Sequence, residues 1–163
     1  MINFTKDRYY YADVYFNSKK GFIIQTRSGR LIDHLYSPCF LPFDANNEII
    51  GEAVIKALSN SRMFDYDSDE YYDYMDLTKS KQRYNQWVGN LCAYFGVKTK
   101  KALFDNMKRS GVSLFNGQIY FSITRHVKLE AWEGIDVESV ILSTENSFEE
   151  IGSGVNLALN YCI

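Results

Sequence analysis

The sequence predicts an α+β fold, a single domain over residues 1–163 in which a mostly antiparallel sheet is packed with about four helices. Three observations carry that expectation. Runs of aromatic and β-branched residues separated by turn residues occupy both the start of the chain and its last third. Between them, and again at the end, apolar residues recur at three- and four-residue steps, the period of a helix with one buried face. Asn116-Gly117 joins two alternating runs and is the strongest short hairpin signal in the chain. The order strands, helices, strands, helix segregates the two types rather than alternating them, as α+β proteins do.

Taken in order, Tyr9 to Phe16 (YYYADVYF) reads as a first strand, Asn17 to Gly21 as a turn, and Gly21 to Thr26 (GFIIQT) as a second strand. Arg30 to Leu35 follows as a third. Pro38 and Pro42 make PCFLPFDANN irregular, because proline fixes φ and restricts the residue before it. Glu48 to Leu58 is an amphipathic helix with Ile50, Val54 and Leu58 four apart, Ile49 and Ala53 beside them, and Asn46 or Asn47 as cap. Leu77 to Phe95 holds a second helix, with Tyr84, Trp87, Val88 and Leu91 inward and Gly96 as its stop. The cations of its first turn oppose the helix dipole, so they are expected to pair with the carboxylates just before them. Lys98 to Arg109 reads as a short third helix with Ala102, Leu103 and Met107 as core contacts. Val112 to Phe115 and Gln118 to Ile123 form the hairpin, Arg125 to Glu133 continues as strand, and Val137 to Ser143 is another. Ser147-Phe-Glu-Glu150 is a capping box opening a last helix with Ile151, Val155, Ala158 and Leu159 inward.

Composition narrows the function classes. The net charge of −2 argues against a dedicated nucleic-acid binder. No run approaches the length of a membrane span, and the N-terminus lacks the apolar core of a signal peptide. Cys39, Cys92 and Cys162 are odd in number and set among apolar neighbours, which reads as buried thiols in a reducing, cytoplasmic compartment. With thirteen tyrosines and eleven phenylalanines, there is aromatic surface to spare for an interface.

One stretch stands apart. Met63 to Asp76 (MFDYDSDEYYDYMD) holds six carboxylates, four tyrosines and no cation. Like charges so dense gain little from folding on themselves, yet acidic linkers are poor in aromatics. Carboxylates that steer an encounter, beside tyrosines that give rigid contact area, suit a basic protein partner. The candidate binding residues are therefore Asp65, Tyr66, Asp67, Asp69, Glu70, Tyr71, Tyr72, Asp73, Tyr74 and Asp76, with the acids between Glu130 and Glu150 as a fallback surface.

No catalytic or metal-binding constellation is legible, and no cofactor is expected. His34 and His126 each lack a second ligand at metal spacing and read as structural. Gly152-Ser-Gly154 lies inside a helix rather than at a phosphate loop, so it is read as close helix packing. The rival reading is a nucleic-acid module built on residues 79–109, where eight lysines and arginines interleave with Tyr84, Trp87, Tyr94, Phe95 and Phe104.

From Lys98 on, KTKKALFDNMK, NGQIYFSITRHVKLEAWEG, VILS, SFEEIG and LALNYC, together with Ser61-Arg62 and the Tyr84-x-x-Trp87-Val88 pattern, resemble the immunity proteins of contact-dependent growth inhibition, the CdiI family. The resemblance covers roughly residues 60 to 163. It implies a non-enzymatic inhibitor that binds and blocks the cognate CdiA C-terminal toxin domain in the cytoplasm. Such toxins are often basic nucleases, several acting on tRNA. The inhibitor would be monomeric when free and would touch neither membrane nor nucleic acid directly. The resemblance supplies no interface residues. Those rest on charge and aromatics.

Overall fold

The structure, a computed structural model, describes residues 2–163. Its central strand is β1 (Tyr9–Asn17), flanked by β2 (Gly21–Ser28) and by β5 (Lys108–Phe115). Outward from these lie β3 (Leu31–Ile32) and β4 (Cys39–Leu41) beside β2, and β6 (Gln118–Phe121) then β9 (Val140–Ser143) beside β5. All these pairings are antiparallel, so the predicted α+β class and sheet type are those observed. A separate hairpin pairs β7 (Thr124–Lys128) with β8 (Ala131–Gly134). The helices are α1 (Asn47–Ser59), α2 (Asp69–Met75), α3 (Leu77–Phe95), α4 (Lys100–Phe104) and α5 (Phe148–Tyr161).

Period-two alternation gives the sheet two unlike faces. Tyr10, Ala12, Val14, Phe22, Ile24, Val112, Leu114, Ile119 and Phe121 face α1 and α5, whose Ile50, Val54, Leu58, Ile151, Val155 and Leu159 complete the larger core. Tyr15 and Ile23 face the other way, onto Trp87, Val88, Leu91, Leu103, Phe104 and Met107 of the α3–α4 segment. This second core covers only one end of its face. α1 and α5 cross closely, and a Cβ on Gly51 would meet the Phe148 carbonyl while one on Gly152 would meet that of Asn47. The glycines read from sequence as helix packing include this one.

Several boundaries are corrected. The expected helix to Arg109 ends at Phe104, because Asn106 takes a left-handed φ of 53° and turns the chain into β5 four residues earlier than expected. Leu103 and Met107 are core as expected, while Ala102 is exposed and Phe104 is buried in its stead. Arg125 to Glu133 is not one strand but the β7–β8 hairpin, and the third strand shrinks to Leu31–Ile32. Ile49 points to solvent. Of the three thiols only Cys162 is buried; Cys39 lies exposed on the edge strand β4 and Cys92 is half-buried. The Asn116-Gly117 turn, with φ of 47° and 81°, and the Ser147–Glu150 capping box form as read. Among the described residues no helix is long and apolar enough to cross a membrane.

Candidate functional site

The acidic stretch folds into a ridge whose core is the helix α2, for which the sequence shows no apolar periodicity. Ser68 caps it by accepting the Tyr71 N–H at 3.1 Å, and Asp69 and Glu70 sit in its first turn, where the helix dipole favours anions. Asp76 ends α2 and caps α3, accepting the Lys79 N–H at 2.9 Å. Of the cations that open α3, Lys79 and Arg83 pair backwards, both reaching Asp73, Arg83 at 2.6 Å, whereas Lys81 makes no ion pair among the described residues. Those bonds hold the Asp73 carboxyl below its ordinary range, Lys79 contributing most.

Two anchors fix the ridge to the sheet. The Tyr74 ring is buried against Phe64, with its hydroxyl 2.9 Å and 2.8 Å from the carbonyl oxygens of Ser28 and Leu31. Burial pushes that phenol well above its ordinary pKa. Arg62 donates from Nε and Nη2 to the two oxygens of Asp33 at 2.6 and 2.8 Å, and from Nη1 to Glu70 at 2.6 Å. Asp33 is fully buried and also accepts from the Ser28 hydroxyl and the Leu35 N–H. Burial alone would raise its carboxyl, but the bonds from Arg62, Ser28 and Leu35 outweigh it and leave the group below the usual carboxylate range.

The ten candidate residues therefore divide. Tyr74 is inside the fold and serves as an anchor, not a contact, which corrects the expectation placed on it. Glu70 and Asp73 are exposed but engaged by Arg62 and by Lys79 and Arg83. Asp65, Tyr66, Asp67, Asp69, Tyr72 and Asp76 face solvent, Tyr66 at 77 % exposure, and Tyr71 is half-buried against Tyr66 and Tyr72. Sequence reasoning missed their apolar companions. Met63, Met75 and Leu77 are all exposed, Leu77 at 87 %, so the ridge presents large apolar side chains as well as carboxylates. The signal was the apolar residues at either end of the acidic run.

Beside the ridge, a cleft of about 430 Å³ opens between α3 and the sheet. Asp13 lies buried on its floor, bonded to Arg27 Nη1 at 3.0 Å and Arg109 Nε at 3.1 Å. Gly111 faces Asp13 across the strands, and the Ser122, Arg109 and Asp13 side chains fill the space above it. The Trp87 indole donates to Gln25 Oε1 at 3.0 Å, closing the inner end, while Tyr74, Ser80 and Arg83 form the lip shared with the ridge.

The basic segment 79–109 does not form a stacking surface. Trp87 and Phe104 are core, Tyr94 stacks on Phe40 at 3.7 Å, and Lys79, Arg83 and Lys100 are paired to Asp73 and Glu130. His126 stacks on Trp132 at 4.5 Å with Nε2 2.9 Å from the Leu129 carbonyl. Burial, then Arg83, lowers the pKa of exposed His34. Among the described residues no group of three or more His, Cys, Asp or Glu is placed to hold a metal.

Comparison with known proteins gives a consistent result. The family model described as CdiI, CDI immunity protein, matches residues 10–162. The immunity protein CdiI-YPIII of Yersinia pseudotuberculosis serotype O:3 (strain YPIII) is 36 % identical over 148 residues, 80 % of this chain and 78 % of that protein. A solved Neisseria meningitidis protein of unknown function superposes with a TM-score of 0.95 at 48 % identity, covering 99 % of this chain and 100 % of its own. A chain of the CdiA-CT/CdiI toxin and immunity complex from Yersinia pseudotuberculosis superposes with a TM-score of 0.85 at 32 % identity, covering 96 % and 98 %.

Proposed function

The chain belongs to the CdiI family of CDI immunity proteins, and from that premise we propose that it neutralises a cognate CdiA C-terminal toxin, a basic nuclease, by seating its acidic tyrosine ridge against the toxin's cationic surface. The protein acts in the cytoplasm, by binding rather than by chemistry, and denies substrate access to the toxin's active site. The observation that carries this reading is the exposure, within one short stretch, of Met63, Tyr66, Tyr72, Met75 and Leu77 together with Asp65, Asp67, Asp69 and Asp76. Methionines and tyrosines supply adaptable and rigid contact area respectively, and carboxylates that mimic substrate phosphate give partner choice and a fast encounter.

The ridge is also held in place before any partner arrives. Tyr74 and the Arg62–Asp33 pair fix it on the sheet, so docking loses little conformational entropy. A toxin seated there also reaches the lip of the cleft formed by Tyr74, Ser80 and Arg83.

The test is to express the C-terminal domain of the protein encoded immediately upstream, with and without this chain, and to follow growth and complex formation. Rescue by a stoichiometric complex is the expected result. In that complex, changing Asp65, Asp67 and Asp69 to Asn should slow association about tenfold and flatten its salt dependence. Tyr66→Ala with Tyr72→Ala should speed dissociation about tenfold while leaving Tm unchanged. A complex with normal rates in both variants would place the interface elsewhere.

A further inference from the structure

We propose that the half of the sheet left open beyond the α3–α4 core is a binding face for single-stranded nucleic acid. On the strands β1 and β5 the residues alternating away from α1 and α5 are Tyr9, Tyr11, Asp13, Ser113 and Phe115, and no helix covers the outer part of this row. Tyr9 is 50 % exposed and stacks on both its neighbours, on Phe115 at 4.5 Å and on Tyr11 at 5.7 Å with nearly parallel rings. Three stacked rings on an uncovered sheet are a platform that a nucleobase extends, because every base presents a π-face.

The charge beside this stack fits a phosphate backbone. Arg27 lies directly across from Tyr11, and Arg109 across from Tyr15. Both guanidiniums share the single carboxylate of Asp13, each through one nitrogen, which leaves an uncancelled positive charge and free donors. Arg30 adds an exposed guanidinium that makes no ion pair among the described residues. Ser113, a short side chain opposite Tyr11 and two residues from Phe115, keeps the strip beside the rings low, so a chain can lie along it. The net charge of −2 had argued against nucleic acid, but it averages an acidic ridge with this basic face. A flat aromatic stack with free guanidiniums favours bases and phosphates, which bring a ring with every charge, over an acidic peptide without aromatic side chains.

Fluorescence anisotropy of a labelled oligo(dT) or oligo(U) of about a dozen nucleotides, titrated with the full chain, tests the proposal. Binding in the micromolar range at about 50 mM salt is expected, with log K falling by about 2 per decade of salt for three phosphate contacts. Arg30→Glu and, separately, Tyr9→Ala should each weaken binding about tenfold; both side chains are exposed enough for folding to survive, which an unchanged circular dichroism melt checks. The proposal is overturned if no binding is seen at low salt, or if both variants bind as well as the parent. It also falls if polyglutamate of similar length displaces the strand as effectively as unlabelled oligonucleotide, which would make the face an acidic-peptide site. Loss of toxin binding in these variants without any oligonucleotide binding would overturn it too, and assign the face to the toxin.

Discussion

Asp33 and Asp67 are the same residue type serving opposite ends, and their surroundings decide which. Asp33 has no exposed surface and spends both oxygens on Arg62, Ser28 and Leu35, whereas Asp67 stands free on the ridge. Because the folded-state pKa of Asp33 is lowered, its contribution to stability is fully present above the unfolded value of about 3.9 and is lost as pH falls through the folded value. Unfolding by urea across the acid range should therefore show the parent losing stability below about pH 4 more steeply than Asp33→Asn. Parallel curves would mean that other carboxylates set the acid limb. Arg62→Ala should cost about 3 kcal/mol at neutral pH, since it strands a buried carboxylate, and Tyr74→Phe about 1 kcal/mol for its lost hydrogen bond. Both changes should also loosen the ridge.

Helix contacts show the same dependence on neighbours. Gly152 meets backbone of α1 that cannot rotate aside, Gly154 meets the Leu142 side chain, which can, and Gly89 on α3 has open space around it. Gly152→Ala should therefore destabilise by about 2 kcal/mol or more, Gly154→Ala by less, and Gly89→Ala should stabilise by roughly 0.5–1 kcal/mol in urea unfolding. Equal costs for the first two would show that α1 and α5 slide apart freely. The elements legible in the sequence were those whose causes are local. The Asn-Gly turn, the Ser147–Glu150 capping box and the four-residue spacing of α1 and α5 each act within a few residues. α2 was missed because its stabilising partners lie outside it: Arg62 before it and Lys79 and Arg83 after it offset its charges, and Tyr74 is secured by strand carbonyls more than forty residues earlier in the chain. The same cause hid the part of the candidate site that lies on the sheet. Asp13, Arg27 and Arg109 carry no mutual spacing signal and meet only through strand register.

At the scale of the molecule, two cores of unequal size share one sheet, and the cleft lies beside the smaller. α1 and α5 cover their face along its length, while α3 and α4 hold theirs through one cluster that includes Trp87, Leu91, Leu103 and Phe104, with the Trp87–Gln25 bond at its edge. Regions with fewer buried apolar contacts open at lower free energy than the rest of a fold. The α3–α4 segment is then the part that moves first, and its motion sets the width of the cleft mouth that adjoins the ridge. Leu91→Ala, at a fully buried position, should cost about 3 kcal/mol, with the loss concentrated locally. Native-state hydrogen exchange should show amides of α3 and α4 exchanging through a lower-energy opening in this variant, while those of α1, α5 and β1 change only as far as global stability falls. Uniform acceleration through every element would instead make the two cores one cooperative unit. In that case the cleft width would be fixed by the whole fold, and partner selection there would rest on shape and charge alone.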